Sequence, residues 1–127
     1  VLLHHVQVSM PRGGEDLARR FYRDGLGLVE IDKPPPLDQR GGCWFQVLDA
    51  GVEVAQLHVG VEELFVPAAR AHPGLLVGSV TDLEAAARRI VDLGFELSWE
   101  ERDTLSGFVR FHARDGAGNR VEVLARA

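Results

Sequence analysis

From Leu2 to Met10 the side chains alternate in character. His4, Val6, Val8 and Met10 fall on one side and Leu3, His5, Gln7 and Ser9 on the other, the period of a strand with one dry face and one wetter face. Pro11-Arg12-Gly13-Gly14 breaks the strand, and Glu15-Asp16 supplies the acidic first turn of a helix that runs through Phe21-Tyr22 to Gly25-Leu26-Gly27-Leu28. Leu17, Phe21 and the stem of Arg20 form its expected buried stripe. Leu28 to Ile31 reads as a short strand, which Lys33-Pro34-Pro35-Pro36 ends because proline has no amide donor. The stretch from there through Arg40-Gly41-Gly42 is the longest segment without periodicity. Cys43 to Leu48 and Val52 to Val59 then form a hairpin around Asp49-Ala50-Gly51.

After a connection over Glu62 to Arg70 the same order recurs. His72 to Val80, Leu83 to Leu93, Phe95 to Trp99, Phe108 to Ala113 and Arg120 to Leu124 read as strand, helix, strand and hairpin, with the last turn at Asp115 to Asn119. The helix-opening Asp-Leu pairs, Asp16-Leu17 and Asp82-Leu83, lie 66 positions apart (82 − 16), and His5 and His72 lie 67 apart (72 − 5). The chain is thus expected to be an α+β fold of two β-α-β-β-β modules, about 1–61 and 71–127, whose mainly antiparallel curved sheets enclose a cleft with the helices outside. Its 127 residues suit one domain shared by both modules.

The 46% hydrophobic and 26% charged fractions are ordinary for a globular chain, and the net charge of −5 argues against a nucleic-acid binder, which needs Lys and Arg concentrated to neutralise phosphates. Arg19-Arg20 and Arg88-Arg89 read as solvated helix faces. Cys43 has no partner for an intrachain disulfide, no signal peptide or membrane-spanning run is visible, and a cytoplasmic location is the expectation.

The candidate chemistry lies on the polar strand faces. His5 is opposite the Val6 and Val8 side, and His72 begins the equivalent strand. Glu122 stands between Val121 and Val123, which must point the other way. In the remaining equivalent strand, Ala55, Leu57 and Val59 share the apolar side, leaving Gln56 and His58 on the polar one. The repeat offset carries Glu122 onto Gln56, so the equivalent positions are His5, Gln56, His72 and Glu122. Two imidazoles, a carboxylate and a weak amide oxygen suit Zn, Fe(II), Mn, Ni or Co, with positions left open for substrate. His58 and His112 are candidates for an acid or base beside the ion. Arg110 is a candidate anion contact, and Trp44, Phe45, Trp99 and Phe108 are candidate cleft walls. His4, on the apolar side, is expected not to ligate.

In this order, His4-His5-Val6-Gln7-Val8, Phe21-Tyr22-Arg23-Asp24, Leu26-Gly27-Leu28, Gly42-Cys43-Trp44-Phe45, Ala71-His72-Pro73 and Asp115 to Asn119 with Arg120-Val121-Glu122 resemble the vicinal oxygen chelate superfamily of glyoxalases, bleomycin resistance proteins and extradiol dioxygenases. The resemblance covers nearly the whole chain. It implies the two-module fold, a divalent metal at His5, Gln56, His72 and Glu122, and a small substrate bound through adjacent oxygens in lyase, isomerase or dioxygenase chemistry. Where glyoxalase I-like members bring a second carboxylate this chain has Gln56, which leaves Glu122 as base; the pattern of two histidines and one glutamate is the extradiol type. The alternative implied function is a metal-free drug-binding protein of the bleomycin-resistance type. A homodimer is also implied, since related proteins pair modules from different chains and each module here leaves sheet edges to cover. The loop Lys33 to Gly42 is expected to gate the cleft.

Overall fold

The computed structural model describes residues 1–127. β1 (His5–Met10) leads into α1 (Glu15–Arg19), which widens into a π-type turn over Arg20–Gly25. β2 (Val29–Ile31), β3 (Cys43–Asp49) and β4 (Val52–Val61) complete the first module. The second module comprises β5 (Gly74–Leu76), α2 (Val80–Asp92), β6 (Leu97–Ser98), β7 (Phe108–Arg114) and β8 (Arg120–Arg126). Two separate four-stranded sheets result, in the orders β1-β4-β3-β2 and β5-β8-β7-β6. In each, the first and last strands of the module run parallel and the other pairs antiparallel. This is the α+β arrangement of two β-α-β-β-β modules that the repeat predicts.

The elements depart from the sequence pattern in three places. In the first helix Ala18, Phe21 and Tyr22 are buried whereas Leu17 is exposed. Leu17 lies over Gly116 of the last turn, so close that a Cβ on that glycine would stand 2.5 Å from it. The strand expected over His72 to Val80 shrinks to three residues. Pro73 has no amide to extend the ladder on one side, and on the other Ser79 turns away to cap α2, its hydroxyl accepting from the Asp82 amide at 3.1 Å. Phe95 to Trp99 likewise contracts to Leu97–Ser98.

One continuous core joins the modules. Phe21, Tyr22, Phe45 and Leu57 of the first pack with Leu83, Ile90, Phe111 and Val123 of the second, all fully buried. Each such side chain contributes roughly 1.5–3 kcal/mol relative to exposure. Polar ties cross the same seam. Arg89 donates to the carbonyl of Gly25 at 3.0 Å and Arg20 to that of Leu93 at 3.1 Å, supplying donors to helix-end carbonyls. Deeper in the seam, the Tyr22 hydroxyl donates to Asp115 at 2.7 Å, and the Asn119 amide donates to Asp115 at 2.9 Å and to the Ser9 carbonyl at 2.7 Å. The final turn is therefore also a latch between modules. Because both helices occupy the core side, the opposite face of each sheet is free for polar side chains.

Candidate metal centre

On β8 the core residues Val121 and Val123 force Glu122 to the other face. Its ladder neighbours are His112 on β7 and Gly74 on β5. Gly74 has no side chain to fill the space above it, and His72, two residues earlier, turns into that space from just outside the strand.

The hydrogen bonds identify the reactive atom of His72. Its Nδ1 lies 2.6 Å from the Arg70 carbonyl, which can only accept, so Nδ1 carries the proton. Nε2 then meets Glu122 Oε2 at 3.0 Å. In neutral His72 two lone pairs would oppose each other there, so the contact requires a second proton or a cation shared by both atoms. His112 Nε2 stands 3.7 Å from the same oxygen and is buried without a hydrogen-bond partner. Donor atoms from His72, His112 and Glu122 all lie within 4.8 Å of one another. An orphaned nitrogen beside a carboxylate and a second, correctly oriented imidazole fits a divalent cation, and the histidine whose far nitrogen donates to a carbonyl has the usual orientation of a metal ligand.

The other carboxylate oxygen is occupied. Arg110 donates to Glu122 Oε1 at 3.0 Å and is itself held by the Glu101 carbonyl at 3.1 Å and the Thr104 hydroxyl at 2.7 Å. Burial opposes ionisation of Glu122, but hydrogen bonds from Arg110 and His72 and the Arg110 charge outweigh it, so the carboxyl stays below its ordinary range and ionised. Burial, reinforced by the charge of Arg120, pushes His112 down despite the opposing Glu122, favouring the neutral imidazole that ligation needs.

His5 and Gln56 stand together in the first sheet, paired in register, and do not join the three-residue cluster. His5 Nδ1 is engaged with His4 Nδ1 at 2.8 Å. Gln56 donates to Glu53 at 3.1 Å and accepts from His58 Nε2 at 2.8 Å. His58 is stacked between two rings, Trp44 at 3.7 Å and His5 at 4.4 Å. Burial first, and then the charges of His5 and His4, push its pKa down to about 4. The ring is neutral at physiological pH and a weak proton acceptor, ill-matched to the base role its position suggested.

His112 is the residue whose part in the cluster the sequence reading missed. The signal was present: the offset of 66 carries His112 onto Gln46 (112 − 66), and Gln46 pairs with Gln56 as His112 pairs with Glu122. Elsewhere, a cleft of about 780 Å³ is mainly apolar and lies between the modules, with Leu3, Leu48, Val54 and Leu76 exposed around it. It holds Gln56 and Gly74 but none of the three clustered ligands, so its size does not mark the chemistry. The loop expected to gate the cleft is drawn together at its neck, where the Lys33 ammonium donates to the carbonyls of Arg40 and Gly41.

The family model for the Glyoxalase/Bleomycin resistance protein/Dioxygenase superfamily matches residues 3–123. A glyoxalase family protein from Bacillus anthracis is 35% identical, with a TM-score of 0.83 over 98% of this chain and 94% of that one. The oxidase ChaP-H1 is 25% identical, with a TM-score of 0.70 over 100% and 97%. A lactoylglutathione lyase from Agrobacterium tumefaciens shares the fold at 19% identity, with a TM-score of 0.67 over 97% and 92%. No curated protein matches the chain. No helix is long and apolar enough to cross a membrane.

Proposed function

Since the chain belongs to the glyoxalase, bleomycin resistance protein and dioxygenase superfamily, we propose that it is a divalent-metal-dependent enzyme acting on a small substrate that binds through adjacent oxygens. The observation that carries this reading is the His72, His112 and Glu122 cluster, with its orphaned His112 nitrogen and its His72 Nε2 turned to the carboxylate. Zn, Fe(II), Mn, Ni and Co all accept two imidazoles and a carboxylate. A metal bound there supplies Lewis-acid stabilisation of an oxyanion or enolate on the substrate. Around it, Arg110 keeps Glu122 ionised and confines Oε1, which leaves Oε2 beside His72 Nε2 for the cation.

His5 and Gln56 complete the site, in this reading, from the first module of a second copy. Within one chain the two pairs occupy different sheets, each on the face opposite the core. Exposed Leu3, Leu48, Val54 and Leu76 around the cleft between modules support burial against another chain.

Metal analysis combined with subunit mixing tests both parts. His72→Ala should lose stoichiometric metal. If sites are shared between chains, co-expressing His5→Ala and His72→Ala should restore metal to heterodimers, in which one site is built entirely from unmutated halves. Full metal content in His72→Ala overturns the metal site. Metal loss in His72→Ala without restoration in the mixture overturns the shared site alone.

A further inference from the structure

Between β6 and β7 the chain makes an excursion over residues 99–107 that is tied down along its length. At its start Trp99 meets the core ring of Phe111 edge-on, with centroids 5.3 Å apart. The Arg102 guanidinium lies over Trp99 at 4.8 Å and reaches Glu84 of α2 at 3.5 Å, while the Arg102 carbonyl accepts from the Arg110 amide at 3.1 Å. The loop is thereby anchored to the core, to α2 and to β7.

These anchors fix the groups that orient the Arg110 side chain, which is only 18% exposed. Its Nε donates to the Glu101 carbonyl at 3.1 Å, one terminal nitrogen to the Thr104 hydroxyl at 2.7 Å and the other to Glu122 Oε1 at 3.0 Å. Thr104 has a single hydroxyl hydrogen, and the acceptors it faces both belong to Glu101, Oε2 at 2.6 Å and the carbonyl at 3.2 Å. Donation to Glu101 makes the hydroxyl a better acceptor for Arg110. A planar guanidinium held on all three of its nitrogens cannot swivel, whereas an ion pair with Glu122 alone would engage one of them. In the first module the offset of 66 puts Trp44 at the position of Arg110 (110 − 66) and Gln56 at that of Glu122 (122 − 66), so only the module with the ligand cluster is built this way.

The geometry points to Thr104 as a positioning residue that sets the metal preference of the centre: by fixing Arg110 on Glu122 Oε1, it leaves Oε2 as the one carboxylate oxygen free to ligate. This inference rests on the reading of His72, His112 and Glu122 as metal ligands. Two imidazoles and one carboxylate oxygen suit Zn(II), which is satisfied by few donors, whereas Mn(II) favours oxygen donors and a fuller shell. With Arg110 released, Glu122 can offer both oxygens and the discrimination narrows. Thr104 touches neither ion nor substrate and acts through Arg110.

Calorimetric titration of the metal-free protein with Zn(II) and with Mn(II) tests this. Zn(II) binds such a donor set more tightly than Mn(II) in any case, so the ratio of the two affinities is the informative quantity. Thr104 is exposed, and Thr104→Val keeps its shape while removing the hydroxyl. That variant should lower the Zn(II)-to-Mn(II) ratio roughly tenfold, the lower end of what outer partners of metal ligands contribute, and Thr104→Ser should hold it within about twofold of the unmutated protein. Thr104→Ala takes the place of Thr104→Val if the latter fails to fold. A ratio unmoved by loss of the hydroxyl, or lowered as much by Thr104→Ser, overturns the positioning role. Zn(II) binding abolished by His72→Ala alongside an unmoved ratio overturns that role alone; Zn(II) binding left intact by His72→Ala overturns the metal reading and the role together.

Discussion

His58 shows how a polar face can hold an aromatic column without charge. Protonation would put a cation in a desolvated slot beside His5 and His4, and its pKa is accordingly pushed down to about 4 from an ordinary 6.5. The unfolded chain therefore binds the proton more readily than the folded one, and stability rises with pH across that window. The metal-free protein should hold the full contribution of a neutral His58 above about pH 6.5 and lose roughly 3 kcal/mol of it as pH falls to about 4. His58→Phe keeps a flat ring and removes the titration. Urea unfolding at intervals from pH 7 to 4 should give a shallower decline for that variant, and parallel declines would show that His58 is not the group responsible.

Among the elements, the turn from Asp115 to Asn119 and the loop from Lys33 to Gly42 have opposite characters. The turn is half-buried, and its two polar ends, Asp115 and Asn119, are buried and hydrogen-bonded. Tyr22, Asn119 and two backbone amides all donate to Asp115, the amides of Ala117 and Asn119 each at 2.9 Å. Tyr22→Phe deletes one donor to a buried carboxylate and should cost about 1–3 kcal/mol in chemical denaturation. A cost near zero would mean that the latch is carried by Asn119 alone. The long loop has few ties beyond the Lys33 neck and the Gly42 amide, which donates to Glu15 at 3.0 Å. Excising Pro35 to Gln39 should change the affinity for oxalate, a small probe with adjacent oxygens, without altering metal content. If neither changes, the loop is a connector.

For the whole molecule, one chain buries a single core shared by both modules and leaves apolar side chains exposed around the 780 Å³ cleft. Both β1 and β5 are edge strands, so unpaired backbone groups lie close to that surface. A second copy related by a two-fold axis would cover both and bring the His5 and Gln56 half-site to the His72 and Glu122 half-site. Sedimentation at micromolar concentrations should give a dimer mass, and Val54→Asp together with Leu76→Asp should shift it to the monomer. A monomer at all concentrations in the unmutated protein would rule the assembly out.

Period-two alternation and the 66-residue offset made the modules, their strand faces and the orientation of Glu122 legible in the sequence, because side-chain direction in a strand follows from parity alone; His72 lies outside β5 and meets Glu122 through the course of the chain before Gly74. Glu122 had to face inward once Val121 and Val123 were buried. Parity could not specify distance between sheets. It placed His5 with His72 on equivalent faces, but those faces belong to separate sheets, and only packing revealed that His112, the cross-strand neighbour of Glu122, stands nearer within one chain. Nor could a linear pattern show that Asp115 and Asn119 turn inward, since buried polar groups are recognised by partners far away in sequence. Tyr22 and Ser9 come within reach of that turn only when the two modules close on their common core.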